Sequence, residues 1–236
     1  MLIGYDEALV RAFPTIRAGV VHATGVTNGP SPPALLEEYR AEQRAAAERL
    51  EGVAIADLPS IAAWRRVFPR FGVKPTQHRA AAEALLRRLA KTGDIPPINA
   101  LVDAGNLVSI RYAMPVAVFD LAGVAAPLEV RFATGGARFT DLGSDEAVAP
   151  EPGEVVFVDR AGVVAARRWC WRQSRQSATG ATTTEVLVVV EGHHDAAGDD
   201  VDAALKDLTA LLRAHHPGCR IAVHRLSPAA PGDGGA

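Results

Sequence analysis

Apolar and polar positions along the chain fall into two regimes. Between residues 34 and 112 the apolar residues recur every three or four positions, the spacing of a buried helix face. Leu35, Leu36, Tyr39 and Leu50 mark one helix over 34–50. Asp57-Leu58-Pro59-Ser60 opens a second that runs to Val67. Thr76 is placed to cap a third, with Ala80, Ala84, Leu85 and Leu89 on its apolar side. Gly93 to Pro97 stop that helix, and the fourth helical segment, 98–112, carries Gly105. After Met114 the pattern changes to β-rich runs at 116–121, 128–132, 138–141, 154–159, 163–166 and 185–190. Gly135-Gly136 and Arg160-Ala161-Gly162 read as hairpin turns between them. One strand, 16–26, precedes the helices. An amphipathic helix over 199–214 and a strand over 219–224 close the pattern. Helices gathered early and strands gathered late predict an α+β fold. A single domain is expected over 1–226, followed by a disordered Pro/Gly tail over 227–236.

Composition adds boundaries. The chain has 236 residues, 48% hydrophobic and 22% charged, enough to build a core and too apolar for a disordered chain. No apolar run approaches the roughly 18 residues that a membrane-spanning helix needs. Met1 to Val10 has no basic segment of the kind that opens a signal peptide, and Cys170 and Cys219 make no disulfide framework. A cytoplasmic protein without a membrane partner is expected. A net charge of −2 excludes nucleic-acid binding by bulk charge. Locally the picture differs, because between Trp64 and Lys91 eight Lys or Arg face one acid, Glu83. Arg65, Arg66, Lys74, Arg79, Arg87 and Arg88 from this block are candidate phosphate contacts. The alternative is a solvated helix face balanced by acids elsewhere. Arg167, Arg168, Arg172 and Arg175 form a second basic group.

Motif chemistry is sparse. The chain has no Gly-x-Gly-x-x-Gly, no phosphate loop and no Gly-x-Ser-x-Gly elbow, and no cofactor is expected. His193-His194-Asp195 reads as loop rather than metal ligands, so no metal is expected either. Two polar segments remain. Asn99, Asp103, Asn106 and Ser109 follow one another at intervals of four, three and three, which puts them on one side of a helix. Solvent faces favour Lys and Glu, and this stripe has neither, so it suits a pocket wall. Trp171 to Thr184 is rich in amides, hydroxyls and arginines and leads into a strand.

These two segments carry a resemblance. IPPINALVDAGNLVSIRYAMPVAVFDL resembles the B3/B4 editing module of the bacterial phenylalanyl-tRNA synthetase beta chain. So do GEVVFVDRAGVVAARRWCWRQS and TGATTTEVLVVVEG, while FGVKPTQHRAAAEALLRRLAKTGDIPPIN is similar to free-standing versions of that module. The resemblance runs from about Ala12 to Arg225. It implies an unusual mixed β-sheet or β-sandwich flanked by helices, and hydrolysis of mischarged aminoacyl-tRNA by a solo module acting in trans. Of the family's Thr-Asn pair, Asn106 is kept and Gly105 replaces the Thr. The family histidine falls on Ala117, and a Gly-Gly-Glu stretch falls near Trp171-Arg172-Gln173.

The resemblance implies roles in turn. Asn106, Arg172 and Gln173 become the catalytic candidates, holding water, carbonyl or oxyanion. Asn99, Asp103, Ser109, Asp120, Trp171, Ser177, Thr183 and Thr184 become substrate-binding candidates, with Asp103 or Asp120 taking the ammonium group. The expected partner is the aminoacylated end of tRNA. Loss of the family histidine and glutamate implies a smaller or less polar amino acid than tyrosine. A tRNA-binding module without chemistry, or a site for an amino-acid-like small molecule, are the alternatives.

Overall fold

The computed structural model describes residues 2–226; the tail expected over 227–236 lies outside the described residues. In chain order the elements are β1 (Ile3–Tyr5), α1 (Glu7–Ala12), β2 (Arg17–Thr24), α2 (Pro33–Arg49), α3 (Pro59–Val67), α4 (Ala81–Thr92) and α5 (Ala100–Tyr112). Then follow β3 (Val116–Asp120), β4 (Leu128–Phe132), β5 (Phe139–Thr140), β6 (Ala147–Val148), β7 (Val155–Asp159), β8 (Val164–Arg167) and β9 (Arg172–Gln173). The series ends with β10 (Glu185–Gly192), α6 (Ala197–His215) and β11 (Arg220–Leu226).

The fold is α+β, built as three layers. A four-stranded sheet in the order β11-β2-β10-β3 lies between helices and a five-stranded sheet in the order β1-β4-β7-β8-β9. Within the middle sheet β10 is buried on both faces, which is why Val186 to Val190 form an unbroken apolar run rather than an alternating one. Val186, Val188 and Val190 join Leu101, Leu107, Leu205 and Leu212 of the helical layer. Leu187 and Val189 join Ile3, Val130 and Phe157 of the other sheet. α5 approaches β3 so closely that a Cβ at Gly105 would stand 2.9 Å from a Val118 methyl, which accounts for glycine inside this helix.

Two expectations change in the structure. Thr76 lies in a turn, and α4 starts at Ala81 behind Ala80, which gives no side-chain cap. Gly135-Gly136 does not close a hairpin, because β4 pairs with β1 and β7 whereas β5 pairs with β6. Short elements with too few residues to display a period, β1, α1, β6 and β9, were not anticipated. Among the described residues no helix is long and apolar enough to cross a membrane.

Candidate active site

A small cavity, about 60 Å³, opens where β3 and β10 of the middle sheet meet β7 and β8 of the outer one. Strand alternation decides what enters it. Gly105 of α5 meets the side chains of Val116 and Val118, so Ala117 between them points the other way, toward the second sheet. After β8, Arg168 and Trp169 both take left-handed backbone angles, φ 46° and 58°. This turns the chain so that β9 runs back along β8. The turn drives Trp169 into the core and brings Trp171, Arg172 and Gln173 to the cavity. Phe157 and Ala166 supply apolar wall.

Glu191, near the end of β10, also lines this cavity, although it is only 3% exposed. Its Oε1 accepts hydrogen bonds from the Tyr5 hydroxyl at 2.5 Å and the Trp169 indole at 2.8 Å. Burial raises the carboxyl to about 7, and these two donors oppose the shift. Burial likewise pushes the neighbouring Cys170 thiol well up, with the Glu191 charge adding to it, so that at neutral pH it is a thiol and not a nucleophilic thiolate. On the outer side, the guanidinium groups of Arg168 and Arg172 each lie 4.6 Å from the centre of the Trp171 ring. His78 meets the same ring edge-on at 4.7 Å, which joins the loop ahead of α4 to this platform. Arg172 is exposed and ion-paired with Asp141.

The structure separates the residues expected to act together. Trp171, Arg172 and Gln173 line the cavity, and so does Ala117. Gln173 is committed by its Nε2, which donates to the carbonyls of Val118 at 2.7 Å and Ser177 at 2.6 Å. Asn106 is half-buried beside Tyr39 in the helical layer and does not reach the cavity. Most other members of the polar stripe hold the chain together. Asn99 caps α5 through the Val102 amide and reaches Thr179. Asp103 is buried, and burial raises its carboxyl despite donors from Ser31 and the Ile98 amide. Ser109 donates to the Met114 carbonyl. Ser177 donates to the Ala165 carbonyl, and Thr183 donates to Asp120, which also accepts from the Ala122 amide. Thr184 is exposed. The pocket wall expected from the stripe is therefore a set of internal ties, because α5 turns that face to neighbouring chain rather than to solvent.

The basic block divides in two. Arg65, Arg79 and Arg87 converge on Oε1 of the buried Glu83, at 2.8, 3.9 and 2.8 Å. Arg66, Lys74 and Arg88 are exposed and make no ion pair among the described residues. Sequence reasoning missed Glu191 and its partner Tyr5. One signal was available: a carboxylate sits directly after five consecutive valines and leucines of a buried strand. Among the described residues no group of three His, Cys, Asp or Glu is placed to hold a metal ion.

The chain is similar to the phenylalanine–tRNA ligase beta subunit of Mycoplasma genitalium, 34% identical over 71 residues. That match covers 30% of this chain and spans 9% of the relative's own length. An N-terminal fragment of the phenylalanyl-tRNA synthetase beta-subunit from Pyrococcus horikoshii superposes with a TM-score of 0.47 at 13% identity, over 93% of this chain and 50% of that one. The B3/4 domain model matches residues 63–214, from within α3 to within the last turn of α6 and so across every wall of the cavity, and the chain belongs to the B3/4 domain family.

Proposed function

We propose that this chain hydrolyses the ester joining a wrong amino acid to tRNA, with Glu191 as general base. The observation that carries this reading is a buried carboxyl with a pKa of about 7 lining a cavity at the sheet interface. A base poised near the working pH combines a usable deprotonated fraction with proton affinity. Ala117 and Trp171–Gln173, where the resemblance puts the family's histidine and glutamate, line the same cavity. Glu191 thus stands beside the positions whose usual groups are missing.

The chemistry is a simple hydrolysis. A water held in the cavity passes a proton to Glu191 as its oxygen attacks the ester carbonyl carbon. The bond from that carbon to the ribose oxygen breaks, and the proton on Glu191 is returned to the leaving ribose oxygen. Arg172 offers its charge to the oxyanion or to the terminal phosphate. About 60 Å³ accommodates water and only a very small side chain, which sets the size limit of the site. The apolar wall of Ala117, Phe157 and Ala166 suits a small or weakly polar amino acid rather than tyrosine. The Arg168–Trp171–Arg172 platform suits the last nucleotides of the tRNA, since guanidinium and indole both stack on bases. Arg66, Lys74 and Arg88 suit its phosphates. This reading has the chain act in trans, in the cytoplasm, on tRNA charged elsewhere.

The test is ester loss from a panel of mischarged tRNAs. Wild type should release a small or apolar amino acid faster than tyrosine. Glu191→Gln and Arg172→Ala should each slow that release at least about tenfold, about 1.4 kcal/mol of transition-state stabilisation. Asn106→Ala, outside the cavity, should leave the rate unchanged. An active wild type indifferent to Glu191→Gln removes Glu191 as the base. The second reading, a tRNA-binding module without chemistry, draws on Ala117 and the missing glutamate; tRNA binding with no ester loss across the panel establishes it instead.

A further inference from the structure

The outer edges of the two large sheets are treated differently. β1 and β9 bound the five-stranded sheet with only three and two residues. β3 bounds the middle sheet on one side, and the 173–177 segment closes it. There Gln173 Nε2 donates to the Val118 carbonyl, and the Asp120 amide donates to the Ser177 carbonyl at 2.9 Å. β11 bounds the middle sheet on the other side. It runs for seven residues in unbroken register with β2, without proline, lysine or a bulge. Among the described residues nothing pairs with its outer edge. Proteins normally blunt such an edge, because its unpaired N–H and C=O groups are a template for another strand.

Alternation along the ladder shows which groups are unpaired. The Asp120 amide points out of the sheet, so Val186 opposite it, with Val188 and Val190, turns its backbone toward β2. Those three pair with Ala23, Val21 and Gly19, which leaves Thr24, His22, Val20 and Ala18 to bond β11 through Arg220, Ala222, His224 and Leu226. The N–H and C=O groups of Ile221, Val223 and Arg225 therefore face away from the sheet. The charges that could guard this edge are turned inward. Arg225 pairs with Asp202 of α6, and the Arg220 guanidinium reaches Thr24 Oγ1 at 3.4 Å.

The flank of the edge matches a second copy of itself. On the helix side an open groove of about 580 Å³ runs between α6 and β11, with Val223, 45% exposed, in its wall. α6 runs antiparallel to β11: Asp202 meets Arg225 at one end, and Cys219 Sγ donates to the Leu212 carbonyl at the other. The α6 side of the groove is acidic at its start, with Asp202 one turn beyond Asp199, and basic further on, at Lys206 and Arg213. The other acids of α6 are engaged, Asp200 by His194 and Asp207 by Arg111, whereas Asp199, Lys206 and Arg213 make no ion pair among the described residues. A strip that is acidic at one end and basic at the other complements its own copy after a half-turn, the geometry of a two-fold interface.

We propose that β11 is the interface of a homodimer, in which two copies of the edge pair antiparallel about Ala222. Ile221 of each copy then exchanges backbone hydrogen bonds with Val223 of the other, and the four apolar side chains fill the joined grooves. Pairing about Val223 would instead set Ile221 against the partner's Arg225. Arg213 lies along the acidic end of the partner's α6, and the middle sheet grows from four strands to eight. The chain's own residues 227–236 follow β11 directly but suit the edge poorly. Pro228 and Pro231 have no N–H to give, and Gly232, Gly234 and Gly235 weaken a strand.

The proposal does not rest on the deacylase reading, and its test does not use tRNA. Sedimentation equilibrium of the full chain over micromolar to millimolar concentrations should show a reversible monomer–dimer equilibrium. Hydrogen exchange at the Ile221 and Val223 amides should slow as the dimer forms. Val223→Glu should weaken the dimer at least about hundredfold, since it buries two carboxylates at the seam. Its melting temperature at low concentration should stay near wild type, because the side chain is exposed in the monomer. Arg213→Glu and Asp202→Lys should each weaken self-association at least about tenfold by setting like charges opposite one another. The Asp202–Arg225 pair is itself exposed, so its loss costs the monomer little. Mixing these two variants should recover the affinity at least about tenfold, since the mixed dimer has opposite charges at both contacts. A chain that stays monomeric overturns the proposal, whether the edge is open or covered by the chain's own tail. So does a dimer indifferent to Val223→Glu, or a mixture of the two charge variants that gains nothing.

Discussion

Burying Glu191 has two measurable consequences that come from one cause. Removing the carboxylate from water raises its pKa from an ordinary 4.5 to about 7, against the pull of Tyr5 and Trp169. A group whose folded pKa is raised contributes stability that is fully present below its unfolded pKa. That contribution is lost as pH rises through the folded value. The window here is from about 4.5 to about 7, and the size is on the order of 3 kcal/mol. Other groups titrate in the same range with opposite sign. His193, lowered to about 3 chiefly by burial, has its stabilisation fully present above its unfolded pKa of 6.5 and loses it as pH falls toward 3. The difference between wild type and Glu191→Gln isolates the one residue. Melting temperatures from pH 5 to 8.5 should show the variant gaining on wild type as pH rises, with the gain levelling off above about pH 8. Deacylation by wild type should rise over the same interval and reach a plateau, because the base works only when deprotonated. A flat difference curve would show that Glu191 is not ionising near 7.

At the scale of elements, α3 and α4 are joined by charge as well as by apolar contact. Glu83 on α4 is 1% exposed, and it draws Arg65 from α3 together with Arg79 and Arg87 from its own neighbourhood. These arginines are partly exposed, so each pair contributes modestly, about 1 kcal/mol or less. Their carboxylate is a different matter, since removing it leaves three cations around a buried amide. The block therefore contains structural and surface cations that look the same in sequence. Arg65→Ala and Arg87→Ala should lower the melting temperature and leave the salt dependence of tRNA binding unchanged. Exchanging Arg66, Lys74 and Arg88 for Ala should leave the melting temperature near wild type. That variant should weaken tRNA binding and flatten its salt slope by about two to three phosphate contacts. Affinity measured at several salt concentrations on both sets separates the roles. Identical slopes in wild type and the triple variant would take the block out of the tRNA-binding surface.

At the scale of the whole molecule, the cavity exists because two sheets with different partners are held at a fixed distance. One close approach secures the 173–184 segment that covers their edge. A Cβ at Gly123 would stand 1.8 Å from the Gln176 carbonyl oxygen, a backbone atom that cannot turn aside. Next to that contact, Gln173 and Ser177 tie the same segment to β3 and β8. Gly123→Ala must therefore displace the segment. It should destabilise the protein by a few kcal/mol, in the upper range for single substitutions. It should also raise hydrogen exchange at Gln176 and Ser177 before it does so in β2 or α6. Unchanged protection at those amides would mean that the segment is not held there. Gly19→Ala, whose Cβ would meet the flexible end of Leu205 instead, should be tolerated better.

The pattern of apolar positions was sufficient for the long helices, the longer strands and the α+β class, because each of those elements repeats a period over several residues. β10 was legible as a strand from its β-rich run, while its burial on both faces follows from the layers that pack against it. The motif segments likewise pointed to the B3/4 family. The sequence could not decide which polar residues face a cavity and which tie the chain together, since both uses select the same short amides, hydroxyls and carboxylates. Asn99, Asp103, Ser109 and Thr183 proved to be ties, and Glu83 turned half of a basic surface inward. Glu191 acquires its character from Tyr5 and Trp169, 186 and 22 residues distant along the chain. Periodicity is a local property written into neighbouring residues; desolvation and juxtaposition depend on distant ones, and those are decided only when the layers close.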